Sequence, residues 1–393
     1  MRRTDLDSLR ILICFSVIFA HALLIFAFEP RYSVKSVEPS LVASVIFEFI
    51  RSTAMALFFV IAGYSAVVSL RGRTVGQFVK ERVLRLLIPL LAGVATFGSV
   101  IKYIELSQGR DFGFHGFREA EPLQEMLGKD SVVTFFDFFP LNLTNLNQLT
   151  WSHLWFLDYL FLLSILLLPL LLRLAKSKTR IDVPSSIVVY LPALLLAAIL
   201  VPFKGYWPYL PNLLTDWQNF AYFGLCILIG AGMAVWPGFE TRLRTEAPRL
   251  LMLTLVAFSG LVFFDESAVG RLCVAFTAWS AAGAALGYAA RFRPAASPTF
   301  NYLSEATLPI YIIHHAPLLL IGLAILPLPI PDWIKMIIIW LSATAVSFIM
   351  YHFLVKPWWP VRWLFGMNPA IARSVQLPSK RTIEALNNSS FGI

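Results

Sequence analysis

Residues 7–28 read Asp-Ser-Leu-Arg-Ile-Leu-Ile-Cys-Phe-Ser-Val-Ile-Phe-Ala-His-Ala-Leu-Leu-Ile-Phe-Ala-Phe. From Ile11 to Phe28 the run is long enough to cross a bilayer as a helix, and His21 alone in it titrates near neutral pH. Arg10 stands at its start. Eleven positions are nearly a whole number of turns, so Arg10 and His21 share a helix face, roughly 16 Å apart along the axis. That places a cation at the water boundary and an imidazole deep in hydrocarbon. Ionisable groups at such depth are costly and mark functional sites. Hydrocarbon disfavours the imidazolium form, which leaves a ring nitrogen available as a base.

Working outward, the same apolar character recurs along the chain. Of 393 residues, 58% are apolar and 14% charged, where a soluble protein carries about a quarter charged; mean hydropathy is +0.71. Runs suited to spanning lie near 11–28, 53–70, 84–101, 155–172, 187–202, 219–236, 250–264, 271–289, 306–326 and 333–355, the fifth and seventh being short. Lipid leaves backbone groups no water to bond, so the runs are read as helices. The predicted fold is an all-α integral membrane protein, a bundle of about ten transmembrane helices. Residues 1–356 form one domain, and 357–393 a disordered cytoplasmic tail. Asp5 and Asp7, and an apolar run continuing past Ala20-His21-Ala22, argue for a span rather than a cleaved leader.

A net charge of +9 invites a nucleic-acid reading, but the distribution opposes it. Alternate loops and the two ends hold 22 of the 32 basic residues, among them Arg3, Arg10, Arg71, Arg82, Arg173 and Arg293. This is the positive-inside bias, and it places both termini in the cytoplasm. Cys14, Cys226 and Cys273 lie in apolar runs as packing residues. Residues 102–152 form a long acidic connection with Phe135, Phe136, Phe138 and Phe139, expected to pack on the bundle or at the interface. The aromatic stretch Tyr206-Trp207-Pro208-Tyr209 reads as an interfacial anchor. No internal repeat and no inverted pair of broken helices is legible.

Further polar motifs punctuate the spans. Gly63, amid Ala62, Ser65 and Ala66, allows close helix approach. Arg82 and Arg85 share a face at the expected start of the third span, where free N–H groups and guanidinium would suit phosphate. Ser152-His153-Leu154-Trp155-Phe156-Leu157-Asp158 opens the fourth span, and Tyr311-Ile312-Ile313-His314-His315 lies in the ninth. His314 and His315 point in different directions on a helix, so at most one should face a shared cavity. No zinc-site spacing accompanies these histidines, and no metal is expected. His115 and His352 gather no evident partners.

Taken in order, these motifs resemble the acyltransferase family three of integral membrane proteins. That family's pattern is an arginine and histidine with ten residues between them in the first helix (Arg10, His21), Phe-Phe-x-x-x-Gly-Tyr in the second (Phe58, Phe59, Gly63, Tyr64), Arg-x-x-Arg before the third (Arg82, Arg85) and a late Tyr-x-x-His (Tyr311, His314). Leu-Asp-Ser-Leu-Arg (6–10), Glu-Pro-Ser-Leu (38–41), Ser-His-Leu-Trp-Phe-Leu (152–157) and Ile-Tyr-Ile-Ile-His-His (310–315) are similar to the branch that succinylates osmoregulated periplasmic glucans.

The resemblance implies acyl transfer from cytoplasmic acyl-coenzyme A, a co-substrate rather than a bound cofactor, to a carbohydrate outside a bacterial inner membrane. His21 would be the base, or alternatively the carrier of an acyl-histidine. Arg10, Arg82 and Arg85 would take the donor's phosphates. His153, Trp155, Tyr311, His314 and His315 would support the ring or bind the acceptor; Asp158, which is not part of the family pattern, reads as an acid at an interfacial helix start or as a supporting partner that fixes a tautomer. Arg51 is the candidate for a succinyl carboxylate. Arg10 and His21 are expected to line one continuous tunnel. The rival readings are acetylation of another envelope glycan, such as lipopolysaccharide or peptidoglycan, and a transporter or flippase using intramembrane histidines.

Overall fold

The computed structural model describes residues 3–113, 116–128, 133–145, 150–177, 185–202, 212, 215–264 and 267–368. Helix α1 (Thr4–Phe26) and α2 (Leu41–Arg71) are joined by an ordered strap, residues 27–40. Helix α3 (Val75–Ser107) follows. A hairpin of β1 (Arg110–Gly113) and β2 (Gly116–Glu119) then leads to α4 (Leu123–Leu127) and α5 (Phe135–Thr144). Next come α6 (Ser152–Leu166), α7 (Leu168–Lys176), α8 (Ser186–Leu200), α9 (Trp217–Val235), α10 (Gly238–Phe264) and α11 (Ala268–Arg291). The chain ends with α12 (Pro298–Ile313), α13 (His315–Ile325), α14 (Asp332–Val355) and α15 (Trp359–Leu364). Among the described residues, seven helices are long and apolar enough to cross a membrane, or nine if α6–α7 and α12–α13 each count as one span. The protein is a multi-pass, all-α membrane protein.

Each of the ten expected runs falls on a helix, but not each helix is a straight span. Helix α8 is indeed short, whereas the seventh run belongs to the 27-residue α10. Its polar first turns, through Arg249, had masked its length. Two helices are broken, contrary to expectation: α6–α7 bends by 63° and α12–α13 by 60°. Pro169 and Pro317 follow the breaks. Each removes an N–H and crowds the carbonyl four residues back, which kinks a helix.

The third span also begins earlier than its apolar run. Thr74 and Gln77 form a capping box that starts α3 at Val75. Arg82 and Arg85 therefore lie inside a helix, the latter in a π-turn over Val83–Leu87 just before Pro89. Contrary to expectation, their own helix offers no free N–H groups beside them, and only the guanidinium groups remain to meet a phosphate. The tail boundary needs correction too. Residues 357–368 dock on the bundle: Arg362 is buried, bonding Glu305 at 2.7 Å, and Val361 and Phe365 pack on the core. Residues 369–393 and the 206–209 aromatics lie outside the described residues.

Helix α1 packs among α2, α12 and α14, while α9 lies along α2 and α10 along α11. The α2–α9 contact is backbone to backbone. A Cβ built on Gly63 would sit 1.9 Å from the Ile227 carbonyl oxygen, and one on Gly230 equally close to that of Val60. Glycine is required at both, as the small residues around Gly63 suggested.

The long connection folds against the bundle. Leu106, Leu123, Val133 and Phe138 form a small second core beneath it. Fully buried Lys102 pairs with Asp111 and with Glu105 (3.4 Å) and donates to the Phe112 carbonyl (2.6 Å). Arg118 closes on Asp111 from the other side at 2.7 Å. Hydrogen bonds fasten the strap to this unit: Ser33 Oγ donates to Glu105 (3.3 Å), and Arg110 donates to the carbonyls of Tyr32 and Pro30 (3.4 Å for the latter). Lys35 caps the last carbonyls of α1 at Leu24 and Ala27; its burial, with Arg110 nearby, pushes the amine down to about 8.

Two stability tests follow from this packing. Gly63→Ala should lower the thermal midpoint in detergent, since overpacking costs about 1–3 kcal/mol. Gly76→Ala, with nothing near its added methyl, should not. Lys102→Met leaves two buried carboxylates without their shared cation. It should destabilise by about 3–5 kcal/mol, and an unchanged midpoint would show that the network is dispensable.

Candidate active site

The break between α12 and α13 and the turn that opens α6 bring four of the six histidines to one place beside α1. Ring centroids lie 4.3 Å apart for His21 and His315, 5.3 Å for His21 and His314, and 4.8 Å for His153 and His315. His153 and His314 are 4.9 Å apart. His153, His314 and His315 are buried, and His21 is partly open.

Every bonded ring nitrogen finds a neutral partner. His153 Nε2 faces the carbonyl oxygens of Tyr311 (3.0 Å) and Ile312 (3.2 Å), which the bend turns toward it. His315 Nδ1 meets His153 Nδ1 at 3.2 Å and Ser152 Oγ at 3.3 Å. His315 Nε2 meets the Tyr32 hydroxyl at 2.9 Å, and that hydroxyl lies 3.5 Å from His21 Nδ1. His314 Nδ1 donates to the Tyr311 carbonyl at 2.8 Å, and its Nε2 is buried with no partner. Tyr311 in turn donates its hydroxyl to the His153 carbonyl.

A cavity of about 170 Å³ opens beside this cluster, toward the strap and the hairpin. His21, His153, His315, Tyr311, Trp155 and Ser152 line its inner part, and Arg31, Arg51, Glu105 and Phe112 its outer part. Of the adjacent pair it is His315 that faces the cavity, while His314 packs behind. Arg51 lies at the rim, paired with Glu48.

Asp158 does not fix a tautomer. It is buried, one carboxylate oxygen has no partner, and no histidine contact involves it. Being five residues beyond His153, it points away from that ring. His115 lies outside the described residues, and His352 has a partner of its own in Tyr302 (3.3 Å).

The arginines gather at the opposite end of α1. Arg10 pairs with Asp7 (2.8 Å) and donates to Ser65 of α2 (2.6 Å). Arg82 stacks on Phe78 at 4.6 Å, within the field of Arg10, Arg73 and Arg85, and its Nε is buried without a partner. Exposed Arg85 leans on Glu81 at 3.3 Å. Among the described residues the cavity does not extend to Arg10, Arg82 or Arg85, so the expected continuous tunnel is not seen there. Along α2 the cavity ends at Met55, and Phe58 and Phe59 close the way to Ser65, packed on Phe156 (4.5 and 4.9 Å) and Phe223. Arg10 and His21 share a face of α1, with an aromatic layer between them.

Sequence reading overlooked Tyr32 and gave Ser152 no role. Tyr32 resembles any interfacial tyrosine, and only the strap's fold returns it to the cluster. Ser152 carries a trace of its constraint in its backbone, φ +43°, a region costly for a residue with a Cβ.

The sequence matches the acyltransferase domain family over residues 3–352. It is also similar to Glucans biosynthesis protein C of Escherichia coli strains UMN026 (O17:K52:H18) and 536 (O6:K15:H31). Identity to each is 23% over 397 residues, covering 95% of this chain and 96% of theirs. No solved structure matches. A match that runs from the start of α1 nearly to the end of α14, and so takes in every helix around the imidazoles, makes this chain a member of the acyltransferase family.

Proposed function

We propose that the protein transfers an acyl group, succinyl in particular, from coenzyme A to a hydroxyl of a periplasmic glucan across a bacterial inner membrane. One observation carries this reading: among the described residues His21 has one hydrogen-bond partner, the Tyr32 hydroxyl at Nδ1, and its ring lines the cavity. The sugar hydroxyl gives its proton to His21 while its oxygen bonds to the thioester carbonyl carbon. The tetrahedral intermediate collapses with cleavage of the C–S bond, and the departing thiolate takes the proton back from His21. Ester and free thiol result, and the enzyme is unchanged.

The positive-inside bias turns the arginine end to the cytoplasm and the cavity mouth outward. Arg10, Arg82 and Arg85 then meet the donor's phosphates, where bidentate guanidinium contacts suit the ligand. The pantetheine arm reaches His21 by parting the Phe58–Phe59–Phe156 layer. The glucan acceptor follows the family and the named relatives. The succinyl donor follows the sequence resemblance, together with Arg51 and Arg31 near the mouth, which suit an acyl chain that ends in a carboxylate.

Purified protein incubated with labelled succinyl- or acetyl-coenzyme A and glucan, read by mass spectrometry of the glucan, tests the reaction. His21→Ala should lower turnover by about 100- to 10,000-fold with folding retained, the range that proton transfer supplies. Arg10→Ala and Arg85→Ala should raise KM for the thioester and spare kcat; an unchanged KM would remove them from the donor site. Arg51→Ala should cut the preference for succinyl over acetyl donor by about tenfold, equivalent to about 1.4 kcal/mol.

A further inference from the structure

The polar contacts around His21 run in one direction, and that direction can be read from the fixed end. His153 Nε2 faces two backbone carbonyls, which only accept, so this nitrogen carries the ring's proton. In a neutral ring His153 Nδ1 is then a bare acceptor. Its neighbour at 3.2 Å, His315 Nδ1, must supply the hydrogen, since two lone pairs at that distance repel. Ser152 Oγ, on the same nitrogen, is a second acceptor.

His315 Nε2 is therefore bare and takes the hydrogen of the Tyr32 hydroxyl at 2.9 Å. That hydroxyl has one hydrogen and has given it, so its oxygen meets His21 as an acceptor. The 3.5 Å contact to His21 Nδ1 is a hydrogen bond only with the proton on Nδ1. His21 Nε2 is then left without a proton. Among the described residues it has no hydrogen-bond partner, and it belongs to a ring that lines the cavity, whereas His314 Nε2 is buried.

We infer that Tyr32 is a positioning residue: through the chain His153–His315–Tyr32 it fixes the tautomer of His21, so that the bare Nε2 faces the cavity as the base. This rests on the proposed transfer at His21 and adds how its base is selected. The residue that orients a catalytic imidazole is here a tyrosine backed by two further imidazoles, where a carboxylate is the familiar solution. The same polarity serves the next step. Once Nε2 takes the substrate's proton, the Nδ1–H keeps its bond to the Tyr32 oxygen, and each hydrogen bond along the chain already presents its negative end toward the new cation.

The test reads the tautomer directly. Protein in lipid bilayers, labelled with 15N at histidine Nδ1 or at Nε2, is examined by solid-state NMR, with His21→Ala identifying the His21 signals by difference. The expected result is a protonated Nδ1 and a bare Nε2 in the wild type, and a mixture or the reverse in Tyr32→Phe. Turnover of succinyl-coenzyme A with glucan should fall at least about tenfold in Tyr32→Phe, with KM for the thioester within about twofold, because a wrong tautomer impairs proton transfer rather than binding. A wild-type His21 protonated on Nε2 overturns the inference, as does a Tyr32→Phe protein with unchanged tautomer and kcat.

If Tyr32→Phe fails to fold, His315 supplies the second comparison. Glutamine there offers an oxygen to Tyr32 and an N–H to His153, preserving the direction, so His315→Gln should keep more turnover than His315→Leu. Equal losses count against the chain. The NMR readout needs no substrate, so a protein inactive on these substrates would sink the proposed reaction and leave the tautomer result to stand or fall alone.

Discussion

A proline that cannot donate a hydrogen bond governs this site. Pro317 breaks the ninth span after Ile313 and bends it by 60°, and the carbonyls of Tyr311 and Ile312 turn out to His153. Burying an imidazole in a bilayer protein costs about 1–3 kcal/mol for each polar atom left unsatisfied, and of the nitrogens here His314 Nε2 bears that cost. Carbonyls at a kink are acceptors that the membrane forces to find donors. Four rings are held between α1, α6, α12 and α13 with no carboxylate among their partners. The bend, the left-handed Ser152 and the docked strap are the backbone adjustments that make this possible.

Much of this was legible in the residues. The close approach at Gly63 and the divergence of His314 from His315 follow from helix periodicity and small side chains, whereas the gathering of His153, His314 and His315 beside His21 was implied only by the family resemblance. Helix continuity was less legible. Hydropathy sees composition, so the polar first turns of α3 and α10 were left out, and the bends at Leu167 and His314 were invisible inside uniformly apolar runs. Side-chain partners were the least accessible. Asp158, close in sequence to His153, was one candidate partner for an imidazole beside its plainer reading as an acid at a helix start. The actual partner, Tyr32, comes from a strap whose position depends on Arg110 and Ser33 contacts far along the chain.

Broken helices near intramembrane histidines are a transporter's feature, and their presence calls for an argument beyond the family match. A group that carries protons across a membrane needs a chain of sites open at both ends. The chain found here ends at two backbone carbonyls, which take no proton at any ordinary pH, while its other end opens on the cavity. Such a chain holds a proton still. Kinks that serve as acceptors and kinks that serve as hinges look alike in outline, and the partners of the exposed carbonyls distinguish them.

The same reasoning bears on how the acyl group moves. An acyl-histidine would form on the open nitrogen of His21, and the incoming sugar hydroxyl would then need a different base. Among the neighbouring rings, His315 Nε2 is occupied by Tyr32, both His153 nitrogens are occupied, and His314 Nε2 is sealed. Glu105, at the cavity's outer part, is already engaged with Lys102 and Ser33. Among the described residues no second base stands at hand, so under the proposed reaction the covalent route would stall after its first half. Direct transfer asks less of the site: one nitrogen receives the hydroxyl's proton and returns it to the leaving sulfur, so both substrates must be present together.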